Sequence, residues 1–276
     1  MDFNEEFADK QQVVEGWLEN VIINDRRPEK ITEAIQYAVL QGGKRIRPII
    51  AMAVCEMVGG KQEDVMPFAC AIELIHAYSL VHDDLPPVDN DDERRGKPSC
   101  HKKYGEAQAI FVGNTIHSLA FEIMSQSELT PILILECIKT VALAAGGEGM
   151  DGGQFLDISG SASLEEYTKM CTMKTGALIM ASALVGALAG GVDMEQYTAI
   201  GKFAKNIGMA FQIKDDIMDS QEENESGDNM ITNFIGVEEA ETLLSGLIEE
   251  AKMDIHSFGE KSYFLQDLAN FIESGA

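Results

Sequence analysis

The sequence predicts an all-α protein of about ten helices joined by short loops. Apolar residues recur at helical spacing, period-two alternation is scarce, and helix start and stop signals punctuate the chain. In chain order, Gly42-Gly43 ends a helix running through Ile31–Leu40, and Pro48 opens the next one. A long apolar helix spans Val65–Val81. Thr130-Pro131 puts a cap before an N1 proline, and Ser163…Glu166 and Asp193…Gln196 have capping-box spacing. Thr175–Val192 is uncharged and rich in Ala, Leu and Gly; bracketed by Lys174 and Asp193, it reads as a buried core helix rather than a membrane span. Val237, Ala240, Leu243, Leu244, Leu247, Ile248 and Ala251 form one stripe, with Glu239, Glu241, Glu249 and Glu250 off it. Only Ser220–Asn229 is long, polar and without period. One helical domain, residues 1–276, is expected.

Composition narrows the function. Forty-six Asp and Glu against 21 Lys and Arg give a net charge of −25. Such a chain repels nucleic acid and anionic membrane, and repels an anionic small substrate unless cations or a local basic cluster reverse the sign. Five widely spaced cysteines (Cys55, Cys70, Cys100, Cys137, Cys171) contain no C-x-x-C pair, so neither a disulfide framework nor a zinc site is expected. Reduced thiols and the absence of a secretory pattern point to the cytoplasm.

Two aspartate clusters carry the chemistry. His82-Asp83-Asp84-Leu85-Pro86-Pro87-Val88-Asp89 sits where the apolar helix ends, so its carboxylates face the negative end of the helix dipole, which is unfavourable without a bound cation. Pro86-Pro87 breaks the helix and lets Asp89 fold back toward Asp83. Hard oxygen ligands without His or Cys suit Mg²⁺. In Gln212-Ile213-Lys214-Asp215-Asp216-Ile217-Met218-Asp219, Asp215 and Asp219 lie four apart on one helical face, about 6 Å from each other. Lys44, Arg45 and Arg47 crowd a helix N-terminus, a setting that favours an anion, while Arg94-Arg95 follows the first cluster and Lys174 begins the uncharged helix. Acids for a metal beside guanidinium groups for phosphate suggest a diphosphate clamp.

The stretches GGKRIRP, IHAYSLVHDDLPPVDNDDERRGKPSCHKKYGEA, GGQFLDI, KTGAL and FQIKDDIMD resemble the trans-prenyl (polyprenyl) diphosphate synthases over nearly the whole chain, with first-motif spacing similar to bacterial farnesyl and plant-type geranylgeranyl synthases. The resemblance implies an all-α, homodimeric bundle around a deep central cavity. It implies that Asp83, Asp84, Asp89, Asp215 and Asp219 bind Mg²⁺ (about three per site, Mn²⁺ also accommodated). Arg94 and Lys174 would hold the allylic diphosphate; Lys44, Arg47, His76 and Arg95 would hold isopentenyl diphosphate; Thr175 and Gln212 would line the reacting centre. His82 and His101 read as structural. Tyr78, five residues before Asp83 and so about 7.5 Å down the helix, would floor the cavity near farnesyl length; geranyl and geranylgeranyl products are the alternatives.

The chain departs from the family after Asp219. The segment is short and acidic, Asp228 stands where relatives carry a lysine, and the C-terminus lacks a basic tail. From Asp215 through Ala251 there are twelve acids and no Lys, Arg or His. Weakened closure and substrate affinity follow, with Glu222 and Glu223 as extra carboxylates. A weakly active or non-catalytic partner subunit, a terpene cyclase of the same architecture and a plain Mg²⁺-binding bundle stand as competing readings.

Overall fold

The computed structural model describes residues 2–23, 27–221 and 230–275. Helices dominate it, as expected. They are α1 (Phe3–Ile22), α2 (Glu29–Val39), α3 (Ile46–Met57), α4 (Gln62–Asp83), α5 (Cys100–Tyr104), α6 (Glu106–Ser125), α7 (Pro131–Ala145) and α8 (Met150–Ser159). After them come α9 (Leu164–Cys171), α10 (Ala177–Gly190), α11 (Met194–Asp219), α12 (Ile231–Ile235), α13 (Val237–Asp254) and α14 (Tyr263–Ser274). The expectation of about ten undercounts them, because several are one or two turns long.

The helix at the centre is α4. It is apolar on all sides, which suits a fully surrounded helix, and it packs against α3, α6 and α10. One core cluster gathers α1, α2, α4, α6 and α7, and a second gathers α9, α11, α13 and α14, with α3 and α10 contributing to both. Small residues let α10 approach closely: a Cβ on Gly186 would lie 2.3 Å from the carbonyl oxygen of Ala51 on α3. Two helical runs, Gln62–Asp83 and Leu164–Gly190, are long and apolar enough to cross a membrane, but 72% and 61% of their windows are buried inside the fold, as core helices require.

The caps form with one variation. Asp193 Oδ1 accepts from Gln196 N (2.8 Å) and Gln196 Oε1 accepts from Asp193 N (3.2 Å), closing the capping box of α11. Ser163 Oγ accepts from Glu166 N (3.2 Å), but Glu166 reaches back to Ala162 N instead of Ser163 N. Thr130 caps α7 with Pro131 at N1. On α13, Ala240, Leu244, Ile248 and Ala251 are buried while Val237 and Leu243 stay exposed, so the stripe is narrower than its periodicity suggests.

Two local features correct the sequence reading. Glu93–Arg94 and Lys97–Pro98 pair as a short antiparallel hairpin, β1 and β2, turned by Arg95 and Gly96 at positive φ. Lys174 does not begin a helix. It lies in a π turn, Thr172–Gly176, that joins α9 to α10 in one continuous helical run.

Candidate active site

Asp83 closes α4, and Asp84 is its C-cap. Beyond the double proline the chain does fold back: Asp89 N donates to the carbonyl oxygen of Asp83 at 2.9 Å. Burial, reinforced by Asp89, pushes the Asp83 carboxyl up to about 7. Asp89 is raised in the same direction by burial and by Asp91. Asp84 is almost fully buried and already engaged, accepting from Arg94 Nε (3.0 Å) and Nη2; Arg94 Nη2 also reaches Asp91 (3.0 Å).

Arg47, His76, Tyr78, Asp83, Lys174 and Thr175 converge on one cavity of about 370 Å³, within the roughly 300–1,000 Å³ range of small-molecule sites. Its other walls include Leu80, Val88 and Met150, with the largely exposed Phe155 and Ile158 beside them, so charged and apolar side chains share one cleft. Two of its buried polar atoms, Arg47 Nε and Gln154 Oε1, have no hydrogen-bond partner among the described residues. Burial and the guanidinium groups of Arg47 and Arg95 hold His76 well below its ordinary value, keeping it neutral. Two cations, Arg47 and Lys174, therefore line a cleft inside a strongly acidic chain, alongside Asp83 and Asp151.

The π turn aims Lys174 and Thr175 at this cavity, and glycine is what lets it sit there. A Cβ on Gly153 of α8 would lie 2.2 Å from Lys174 N, and one on Gly208 of α11 would lie 2.9 Å from the Gly176 Cα. From α8, Asp157 accepts from Lys174 Nζ at 2.5 Å. From α11, Gln212 Oε1 accepts from the Thr175 hydroxyl at 2.7 Å. The glycines of GGQFLDI and the FQIKDD run thus both serve to fix one short segment.

On α11, burial and then Asp219 push Asp215 up to about 6, against the lowering influence of Lys44 and Arg47. Arg47, which lines the same cavity as Asp83, also feels Asp215, which lines a separate recess. Lys44 shares a small recess with Asp215 and stands 5.7 Å from the Phe271 ring centroid. Arg95 is tied back by its Nη1 donating to the carbonyl oxygen of Gly42, and its guanidinium occupies the space where a Cβ on Gly43 would lie.

Of the three cations crowded at the start of α3, one is not available to a ligand. Arg45 is buried and donates to Glu73 (2.6 Å), Glu15 (2.8 Å) and the carbonyl of Val39 (2.7 Å). His82 packs against α6, over Gly113, with Nε2 facing the Ile110 carbonyl, and His101 pairs with Ser99 Oγ. Glu222, Glu223 and Asp228 lie outside the described residues.

A family model described as polyprenyl synthetase matches residues 28–233. The chain belongs to the polyprenyl synthetase family. A geranylgeranyl diphosphate synthase from Cyanophora paradoxa is 41% identical, covering 96% of this chain and 93% of that protein. The large subunit 1 of a heterodimeric geranylgeranyl pyrophosphate synthase from Arabidopsis thaliana is 37% identical, covering 98% and 79%. Among solved structures, an FPP/GFPP synthase from Zymomonas mobilis superposes with a TM-score of 0.91 at 33% identity, covering 98% of both chains. A geranyltransferase from Legionella pneumophila gives 0.92 at 31%, covering 99% and 96%. The protein is a prenyl diphosphate synthase, an enzyme that transfers alkyl groups.

In this polyprenyl synthetase, Tyr78 crosses from α4 to α8. Its hydroxyl donates to Asp151 Oδ1 at 2.8 Å, and its ring meets His117 edge-on at 4.8 Å. Among the described residues no three His, Cys, Asp or Glu side chains converge into a ready-made cation cage. The donors near the cleft, Asp83, Asp89 and Asp215, are hard carboxylate oxygens, the kind that suit Mg²⁺ with water and substrate phosphate completing its shell.

Sequence reading missed four groups. Asp157 lay inside a quoted motif without a role. Asp216 is four residues after Gln212, a helical pairing signal that was legible. Asp151 and Glu73 act across 73 and 28 residues, and nothing local marks them.

Proposed function

We propose that this enzyme condenses isopentenyl diphosphate with dimethylallyl and geranyl diphosphates, releasing farnesyl diphosphate. The observation that carries the reading is a single cavity lined both by Arg47, His76, Asp83, Lys174 and Thr175 and by apolar side chains such as Leu80, Val88 and Met150. The unpartnered Arg47 Nε suits a phosphate oxygen; Lys44, His76 and Arg95 complete that clamp for isopentenyl diphosphate. Arg94 and Lys174 hold the allylic diphosphate. Each is now paired with a carboxylate, Asp84 or Asp157, so an arriving diphosphate exchanges partners with them. That exchange frees carboxylates beside the phosphates at the moment a divalent cation can use them.

Asp83, Asp84 and Asp89 from one side, and Asp215 and Asp219 from the other, would hold Mg²⁺, which when bound neutralises charge on the departing diphosphate. Arg94 and Lys174 favour the same departure, each charge-assisted contact contributing roughly 1.5–3 kcal/mol. Thr175 and Gln212 border the carbon that becomes cationic. The cavity presents the isopentenyl double bond to it and excludes water, which would quench the cation. The proton lost afterwards goes to the departing diphosphate. No nucleophilic Ser or Cys is required.

In this reading product length rests on Tyr78 as the cavity floor, supported by its place in the lining and its hydrogen bond to Asp151. The names of the Cyanophora and Arabidopsis relatives favour the second reading, a geranylgeranyl product. Chain-length analysis of products from purified wild type and Tyr78→Ala separates them: the farnesyl reading expects C15 from wild type and longer chains from the variant. Equal product lengths from the two proteins would remove Tyr78 as the floor, and no product at all would favour the non-catalytic subunit. Exposed Ile110, Phe111, Phe155 and Ile158 support a homodimer, five buried free thiols support a cytoplasmic protein, and the burial of both long apolar helical runs supports the absence of a membrane span.

A further inference from the structure

The second aspartate cluster contains a carboxylate that does not face the cleft. Asp216 is buried on α11 and receives three donors. The hydroxyl of Tyr167 and the backbone N–H of Ile231 (2.6 Å) both donate to Oδ2, and the Gln212 amide nitrogen donates to Oδ1 at 2.9 Å. An acceptor-only carboxylate leaves Gln212 no choice of orientation: its NH₂ must face Asp216, so its carbonyl must face Thr175. The Thr175 hydroxyl then donates to that carbonyl at 2.7 Å, and Thr175 lines the cavity. Polarity runs one way through the relay, and the lone pairs left on the Thr175 oxygen are the ones available to the cavity.

We propose that Asp216 is a positioning residue and not a cation ligand: through Gln212 it sets the direction of the Thr175 hydroxyl, so that an oxygen lone pair, rather than a proton, meets the allylic cation. This rests on the prenyl-transfer reading above. Its cause is steric and electronic arrangement, since every acceptor site Asp216 uses is filled from within the protein.

Asp216→Asn reverses the relay. An amide nitrogen at the Oδ1 position repels the Gln212 NH₂, Gln212 turns over, and Thr175 becomes an acceptor. Gln212→Glu in the same chain restores it, because a carboxylate accepts both from the new amide and from Thr175. The test measures kcat, KM and the Mg²⁺ concentration for half-maximal rate, using dimethylallyl and isopentenyl diphosphates with MgCl₂. Asp216→Asn and Gln212→Glu are each expected to lose at least tenfold in kcat, with Mg²⁺ half-saturation within twofold of wild type, and the double variant is expected to regain most of the loss. Thr175→Val, near-isosteric and independent of whether Asp216→Asn folds, is expected to lose kcat to a similar extent at unchanged Mg²⁺ half-saturation. A tenfold rise in the Mg²⁺ requirement of Asp216→Asn, no recovery in the double variant, or full activity in Thr175→Val overturns the proposal. An inactive wild type would instead defeat the prenyl-transfer reading itself.

Discussion

Replacing Arg45 with Ala should unfold the protein more readily while leaving every side chain that lines the cleft in place. Arg45 and Glu73 are both essentially buried, their ion pair is 2.6 Å long, and Arg45 satisfies Glu15 and the Val39 carbonyl as well. Removing the guanidinium strands a buried carboxylate, for which breaking a buried pair costs about 3–5 kcal/mol. At about 2–4 °C per kcal/mol for a chain of this size class, the melting temperature should fall by about 6–20 °C. The assay is thermal denaturation followed by circular dichroism, run beside Lys44→Ala. The two lysine and arginine variants should separate cleanly: Arg45→Ala lowers Tm with little change in KM at low temperature, while Lys44→Ala raises the KM for isopentenyl diphosphate with little change in Tm. Adding Glu73→Gln to Arg45→Ala should recover part of the lost stability, since no charge is then left buried alone. A Tm drop below about 2 °C, under 1 kcal/mol by the same conversion, would refute the reasoning.

Three further outcomes follow from the geometry. Gly153→Ala pushes against Lys174 backbone that cannot yield, so kcat/KM should fall at least tenfold by about 1.4 kcal/mol per decade, whereas Gly246→Ala, with open space at its Cβ, should gain about 0.5–1 kcal/mol in denaturant titration. Tyr78→Phe and Asp151→Ala each remove one hydrogen bond but keep an aromatic ring at position 78. Each should shift the ratio of long to short products about two- to tenfold, less than Tyr78→Ala, in chromatography of the products. In metal-free protein, Asp83 and Asp215 bind protons more tightly when folded (about 7 and about 6) than at their ordinary value of 3.8. Their contribution to stability is complete below that ordinary value and is lost as pH rises through 6 to 7. Tm should therefore decline less steeply between about pH 5 and 8 in Asp83→Asn than in wild type, and MgCl₂ should raise wild-type Tm more at the alkaline end. Parallel profiles for the two proteins would contradict the assignment.

Much of the fold was legible because helices announce themselves locally. Asp193 and Gln196 form the capping box their spacing suggests, Thr130-Pro131 starts α7, and the double proline turns Asp89 back on Asp83. Local rules failed where a non-local contact decided. Lys174 seemed to open a helix because the uncharged run begins after it, yet close packing of Gly153 and Gly208 holds a widened turn inside a continuous helix. Arg45 looked like its neighbours Lys44 and Arg47 until Glu73, 28 residues away, claimed it. The paired hairpin at Arg94 is too short for alternation to reveal. At the site, residue types gave the chemistry, while the pairings of Asp84 with Arg94 and Asp157 with Lys174 needed coordinates.

The π turn at Thr172–Gly176 works as a phase shifter between two halves of one rod. Lys174 and Thr175 keep an angular setting that serves the substrate, and Leu178, Ala181 and Val185 downstream keep another that serves the core. Relaxing this turn to regular α geometry at unchanged chain length would rotate one half against the other by about 100°. Either the reactive side chains or the packing stripe would then point the wrong way. The widened turn is thus constrained twice over, by chemistry and by folding, and a substitution that lets it relax should cost activity and stability together.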